Sequence, residues 1–182
     1  NPQTVAANLG GSATDLAAAF NGITTLTSTL TITGTTPATI AELMTINAAT
    51  SGNVVLNAET NAASYTDTAA NLISAFTGIT SHTGGLTVSD TGDVSAADLA
   101  IVSTLTSGTT TAIATSLITG SSAEIVSAIG AVSFNPNVPL TITGANVATI
   151  ANLKTINAAT SGDVVLNAQT IAADLNGSAT DL

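Results

Sequence analysis

Cysteine and tryptophan are absent from the 182 residues, and histidine and the basic residues are down to one each, His82 and Lys154. Without thiols there is no disulfide framework, no cysteine zinc site and no thiol nucleophile, and a lone histidine leaves HExxH and every histidine-based triad incomplete. A nucleophilic hydroxyl needs a base beside it, and neither His82 nor Lys154 stands in a GxSxG or SxxK context. Catalysis is the weakest functional class open to this chain. One cation against eleven carboxylates leaves a net charge of -10, which neither neutralises a run of phosphates nor grips an anionic bilayer. Nucleic acid and membrane surfaces are excluded as main partners. Long apolar runs are missing too, since Thr, Ser, Asn and Gly interrupt each one short of the 18 or so residues of a spanning helix. The opening Asn1-Pro2-Gln3 carries neither an initiator Met nor a basic and apolar leader, which is expected of a processed product or a piece of something longer.

What is present is small and apolar. Hydrophobic residues make up 45% and charged residues only 7%, with a mean hydropathy of +0.50, the opposite of the signature of disorder. The chain is expected to fold around Ala, Val, Leu and Ile.

Internal repeats set the architecture. LTIT at 30–33 returns as LTVS at 86–89 and LTIT at 140–143, and INAATSGNVVLNA at 46–58 returns as VSTLTSGTTTAIA at 102–114 and INAATSGDVVLNA at 156–168. Both markers give a double unit of about 55 residues, hence one strand and one helix in about 27–28 residues. A longer copy joins the ends: QTVAANLGGSATDL at 3–16 recurs as QTIAADLNGSATDL at 169–182. Neither end carries the polar cap that closes a repeat array, so a window on a longer array, or a subunit whose ends stack on copies of itself, is expected.

Strands are expected at 30–33, 54–56, 86–89, 112–114, 140–143 and 164–166, all short and mostly β-branched. Helices are expected where apolar residues fall three and four apart: Leu16/Phe20, Ile40/Leu43/Ile46, Leu72/Phe76, Leu99/Val102/Leu105, Ile125/Ile129 and Ile150/Leu153/Ile156. Alternation of the two implies parallel strands with right-handed crossovers. The expected fold class is α/β, a solenoid of strand-helix coils with a parallel sheet on one side and short helices on the other. The array is continuous over 1–182, in units 1–28 (partial), 29–84, 85–138 and 139–182 (partial). A β-solenoid is the alternative, though strand periodicity fails across 37–48, 67–77 and 95–105.

Carboxylates supply the candidate sites. Asp90, Asp93 and Asp98 in SDTGDVSAAD suggest hard oxygen ligands for calcium, but the spacing matches neither an EF-hand nor the GGxGxDxUx nonapeptide. Ser95/Asp98, Ser121/Glu124, Thr39/Glu42 and Ser12/Asp15 read as capping boxes, and Asp67 and Asp181 as helix-start acids. Asp90 and Asp93 remain as a weak calcium pair, to be tested by titration calorimetry at millimolar Ca²⁺; no other cofactor is expected. His82, in ITSHTGG, reads as an exposed loop residue and Lys154 as an outer helix residue standing where Met44 stands one array step earlier. Asn57, Asn167, Asn47 and Asn157 recur as structural asparagines that brace turn backbones. Alternation in LTIT puts Leu and Ile on one sheet face and Thr on the other, so a Thr rank that orders ice or holds a glycan is an alternative use. Phe20, Phe76, Phe134 and Tyr65 are too scattered for an aromatic glycan platform. Asn176-Gly177-Ser178 is a glycosylation sequon.

In the phrases LTITGTTPATIAELMTINAATSG, SYTDTAANLISAFTGIT and SDTGDVSAADLAIV the chain resembles the tandem repeats of very large secreted surface proteins of Gram-negative bacteria, notably cyanobacteria. The resemblance implies an extracellular, cell-surface location and a non-enzymatic role as adhesin, surface-layer component or extracellular fibre. Because the calcium-binding nonapeptides that accompany many of these proteins are missing, calcium-driven folding is not implied. The expected partner is the same repeat array, through covalent continuation or end-to-end self-association. The runner-up is a surface-binding module.

Overall fold

Leu30 and Ile32 are sealed in the core while Thr31 between them stays partly exposed, the alternation that a strand with one buried face requires. The computed structural model describes residues 7–79, 81–173 and 175, and divides the chain into two compact units, residues up to 87 with 104–109, and 88–103 with 110 onward. The fold is α/β with parallel strands.

In the first unit the elements run β1 (Leu9–Gly11), α1 (Ala13–Phe20), β2 (Leu30–Ile32), α2 (Ile40–Ala49), β3 (Val54–Val55), α3 (Ala58–Ala62), β4 (Tyr65–Asp67), α4 (Ala69–Phe76) and β5 (Leu86–Val88), whose last residue opens the second unit. Strands β1, β2 and β3 lie side by side, Leu9 opposite Leu30 and Leu30 opposite Val54. β4 lies beside β5, with Tyr65 N donating to Gly85 O at 2.9 Å. Helix α2 packs between α1 and α4. Ala13, Leu16, Phe20, Leu43, Ile46, Leu72 and Phe76 are buried from the helices and Leu30, Ile32 and Val54 from the strands.

The second unit runs β6 (Asp93–Ser95), α5 (Ala96–Thr104), whose last residue belongs to the first unit, β7 (Thr110–Ala112), β8 (Leu117–Gly120), α6 (Ser122–Ala131), β9 (Ser133–Phe134), β10 (Leu140–Ile142), α7 (Ile150–Ala159), β11 (Val164–Val165) and α8 (Ala168–Ile171). Strands β6, β8, β10 and β11 form one parallel ladder, Val94 opposite Ile118, Ile118 opposite Leu140 and Leu140 opposite Val164. β7 pairs with β9, and α6 packs on α7.

All six expected helical stripes fall on helices, with Leu105 lying just past the end of its helix, and five of the six expected strand regions hold a strand; the one expected at 112–114 is displaced, running Thr110–Ala112. The all-strand alternative does not hold, because α2, α4 and α5 occupy 40–49, 69–76 and 96–104. The expected coil, a single strand followed by a single helix, needs correction. Helices beginning at Ala13, Ile40 and Ala69 do keep nearly the expected step. Paired strands follow a shorter one, as the partners Leu9 and Leu30, Leu30 and Val54, and Ile118 and Leu140 show. Between α2 and α4 the chain also forms two strands, β3 and β4, on either side of the short α3, where one was expected.

Helix ends are closed by polar side chains. Thr39 with Glu42 and Ser121 with Glu124 form complete capping boxes, and Ser12 Oγ accepts from Asp15 N at 3.1 Å. At the other end of α1 and α4, Gly22 and Gly78 adopt φ of +78° and +83°, the left-handed turn that terminates a helix at little cost only in glycine.

Candidate functional site

Three copies of Thr-Ser-Gly, at 50–52, 106–108 and 160–162, carry the most repeated polar geometry in the chain. In each, the Thr Oγ1 accepts from the Gly N two residues on, at 2.9 Å for Gly52 and 2.8 Å for Gly108 and Gly162. The same hydroxyl donates at 2.6 Å to a main-chain carbonyl 22 residues earlier, that of Ser28, Gly84 or Val138. The turn is thereby stapled to the turn before it. A Cβ on Gly52 would stand 2.5 Å from Ser28 O, on Gly108 2.5 Å from Thr83 O, and on Gly162 2.4 Å from Asn137 O, so the motif demands glycine by close approach.

A second brace recurs in the equivalent segments of the two units. Asn57 Oδ1 accepts from Thr60 N, capping α3, while its Nδ2 donates to Gly34 O at 2.9 Å and Thr36 O at 3.1 Å. Asn167 does the same for α8, with Gly144 O and Asn146 O. Thr60 and Thr170, both buried, accept from Ala38 N and Ala148 N at 2.8 Å. Asn47 Nδ2 donates to Ser74 O and Thr77 O, each at 3.0 Å, closing the end of α4. Asn57, Asn167 and Asn47 brace backbone as expected, whereas Asn157 stands exposed without such a brace among the described residues.

His82 corrects its expectation outright. It is not exposed: 1% of its surface is accessible, and its ring lies 4.5 Å from that of Phe76 and 5.6 Å from that of Tyr65, centroid to centroid. Neither ring nitrogen has a hydrogen-bond partner. Burial pushes its pKa down, against nearby backbone groups of Thr60 and Asn61 that favour the charged form. Aromatic contacts hold the imidazole because Tyr65 is anchored by its own hydroxyl, which donates to Ala38 O at 2.8 Å. Burial raises the Tyr65 pKa, with the Glu42 charge acting the same way.

Asp90 is half-buried with its carbonyl accepting from Thr115 Oγ1 at 3.4 Å, and Asp93 is exposed at the start of β6. Among the described residues no group of three or more His, Asp or Glu comes together. Glu42 and Glu124 both have lowered pKa values, each chiefly through the backbone N–H of its cap residue, Thr39 or Ser121. Asp67 Oδ1 accepts from Thr68 N and Asn71 Nδ2 at the start of α4, and Ser95 Oγ accepts from Ala97 N and Asp98 N. Lys154 lies exposed on α7, as expected. Asp181 and the sequon at Asn176 lie outside the described residues.

Two open spaces among the described residues are lined by helix caps and by helix and strand faces. A polar recess of about 400 Å³ lies between the N-terminal ends of α1 and α2, lined by Ser12, Thr14, Thr39 and Glu42. A groove of about 350 Å³ runs along α7 and β11, lined by Ile150, Leu153, Asn157 and Val164. On the outward sheet face of the second unit Ser95, Thr119, Thr141 and Val165 stand in register on successive strands.

Comparison with family models, with curated proteins and with solved structures finds no match to this chain. No helix among the described residues is long and apolar enough to cross a membrane.

The Thr-Ser-Gly staple is not among the expectations drawn from the sequence, where INAATSG stands only as a repeat marker. The available signal was the fixed Gly two residues after a fixed Thr, directly ahead of a strand.

Proposed function

We propose that this chain is a structural segment of an extracellular cell-surface fibre, surface layer or adhesin stalk, built as a solenoid of strand-helix coils. The observation that carries the reading is the staple: Thr50, Thr106 and Thr160 each tie a turn to the one 22 residues earlier by the same 2.6 Å bond. Three residues of types that could do chemistry are held in structural roles. His82 is sealed under Tyr65 and Phe76, and Glu42 and Glu124 cap helices. A repeat stabilised in this way gains length without a new core, since each coil buries its apolar faces on the next. The mechanism is cohesion along an axis, with no catalytic step and no cofactor assigned. The resemblance to giant secreted surface proteins supplies the location, and the -10 charge is compatible with it.

Electron cryo-microscopy of the native material, paired with denaturing mass measurement, tests this. Fibres with a chain mass many times 17.6 kDa would mean one covalent array, and fibres of chains near that mass would mean stacked subunits. Compact monomers would overturn the fibre.

The in-register rank of Ser95, Thr119 and Thr141 favours a second reading, a surface-binding module that uses this hydroxyl face for glycan or ice. In the first unit the corresponding row is Gly10, Thr31 and Val55, which breaks the rank. Thermal hysteresis and glycan-array binding by the isolated chain would support this reading, and a chain inert in both would remove it.

A further inference from the structure

Helix α2 with β3 and helix α7 with β11 are two copies of one sequence, INAATSG-VVLNA with its preceding stripe, at 46–58 and 156–168. Their surroundings differ. In the first unit α4 packs on α2, and Leu43, Ala49 and Val54 are buried. Asn47 there donates to the carbonyls of Ser74 and Thr77 at the end of α4. In the second unit the counterparts Leu153, Ala159 and Val164 are all partly open, and the groove of about 350 Å³ lies over them. Asn157, the counterpart of Asn47, is exposed and its side chain has no hydrogen-bond partner among the described residues.

The covering helix also has a copy. ATDLAAAFNGI at 13–23 matches AANLISAFTGI at 69–79, and both turns close alike, Ile23 N donating to Phe20 O and Ile79 N to Phe76 O at 2.9 Å. On α4 and the turn after it, Ala75 and Ile79 are buried; their counterparts beside α1, Ala19 and Ile23, are exposed, Ile23 by 38%. Among the described residues, both halves of an interface that the chain contains complete within its first unit are thus left open.

We propose that a second copy of this chain seats its α1 on the α7–β11 face, as α4 sits on α2, with Asn157 Nδ2 donating to the main-chain carbonyls of Ala18 and Asn21 of that copy. This rests on the fibre reading and deepens it by naming the partner and the register. The contact joins two different surfaces, so it is heterologous and propagates unless its rotation closes a ring. Ile23 and Leu153 supply the apolar centre, and Asn157 sets the register because its amide matches the two carbonyls only where the helix ends.

The test uses the 182-residue chain, whose lack of cysteine leaves introduced thiols alone. N157C and N21C are placed on separate chains, mixed, and treated with a short thiol-specific cross-linker. A covalent dimer at least ten times more abundant than from N157C with D15C, at the far end of α1, is expected. N47C with T77C in one chain is the positive control. Ile23→Asp and Leu153→Asp should each weaken self-association in sedimentation at least tenfold while leaving the circular dichroism spectrum unchanged. Fibres that form without the 21–157 cross-link overturn this register and leave the fibre reading standing. A chain that stays monomeric with no cross-link, its open face covered by its own residues or by nothing, overturns both.

Discussion

At the scale of single residues, stability is concentrated in a few hydroxyls and glycines. Thr106 makes two strong bonds, one accepted from Gly108 N and one donated to Gly84 O. Thr106→Val keeps the shape and loses both, so it should cost about 2 kcal/mol, at roughly 1 kcal/mol per bond, read as a lower denaturant midpoint with unchanged slope. Gly108→Ala should cost more, since the main-chain atoms of Thr83 and Gly84 cannot yield to the added methyl. Among the described residues His82 is the one buried group whose charge state changes near neutral pH. Its folded pKa is pushed below the ordinary 6.5, so between those values the unfolded chain binds the extra proton. Stability is therefore full above about pH 6.5 and falls as the pH drops below it. Thermal melts between pH 7.5 and 5.5 should show this loss, and His82→Phe should flatten it while raising stability by on the order of 1 kcal/mol, by removing two unpaired buried nitrogens. A melt of the wild type that is flat over this range would show that the ring is not sealed.

Elements differ by how they are covered more than by what they contain. Helices α2 and α7 share nearly the same residues, yet Leu43 is fully buried and Leu153 is partly open. Leu43→Ala should cost about 2–5 kcal/mol, the range for a core leucine, and Leu153→Ala in dilute chain should cost less than half of that. Equal losses would mean that α7 is already covered. Caps act at this scale too. Ser121 accepts from Glu124 N while Glu124 accepts from Ser121 N, so Ser121→Ala should cost about 1 kcal/mol, measured by chemical denaturation. The helices were legible in the sequence because apolar spacings such as Leu16/Phe20 are local. The strands β1, β4, β6, β8 and β9 were not, since runs as short as LGG, YTD, DVS, LITG and SF carry no readable period. Such runs become strands only when a partner distant in the chain pairs with them, as Leu30 does with Leu9 and Ile118 with Val94.

For the whole molecule the charge balance governs association. A net charge of -10 with one cation repels like copies at long range, while the contact surfaces at α1 and α7 are mostly apolar. Raising salt from about 10 to about 300 mM shortens the Debye length from about 30 Å to less than about 8 Å and should strengthen end-to-end association, read as growth in sedimentation coefficient. Association that weakens with salt would point to ion pairing through Lys154 in its place.

Composition and period alone excluded thiol, metal-finger and triad chemistry, placed six helices and announced a repeated α/β chain, because those properties are carried by residue counts and by neighbours three or four apart. Strand register, the burial of His82, the staple at Thr50, Thr106 and Thr160 and the contrast between Leu43 and Leu153 came from the folded chain. Each depends on which residue far along the chain lies within a few ångströms, and no local pattern encodes that distance.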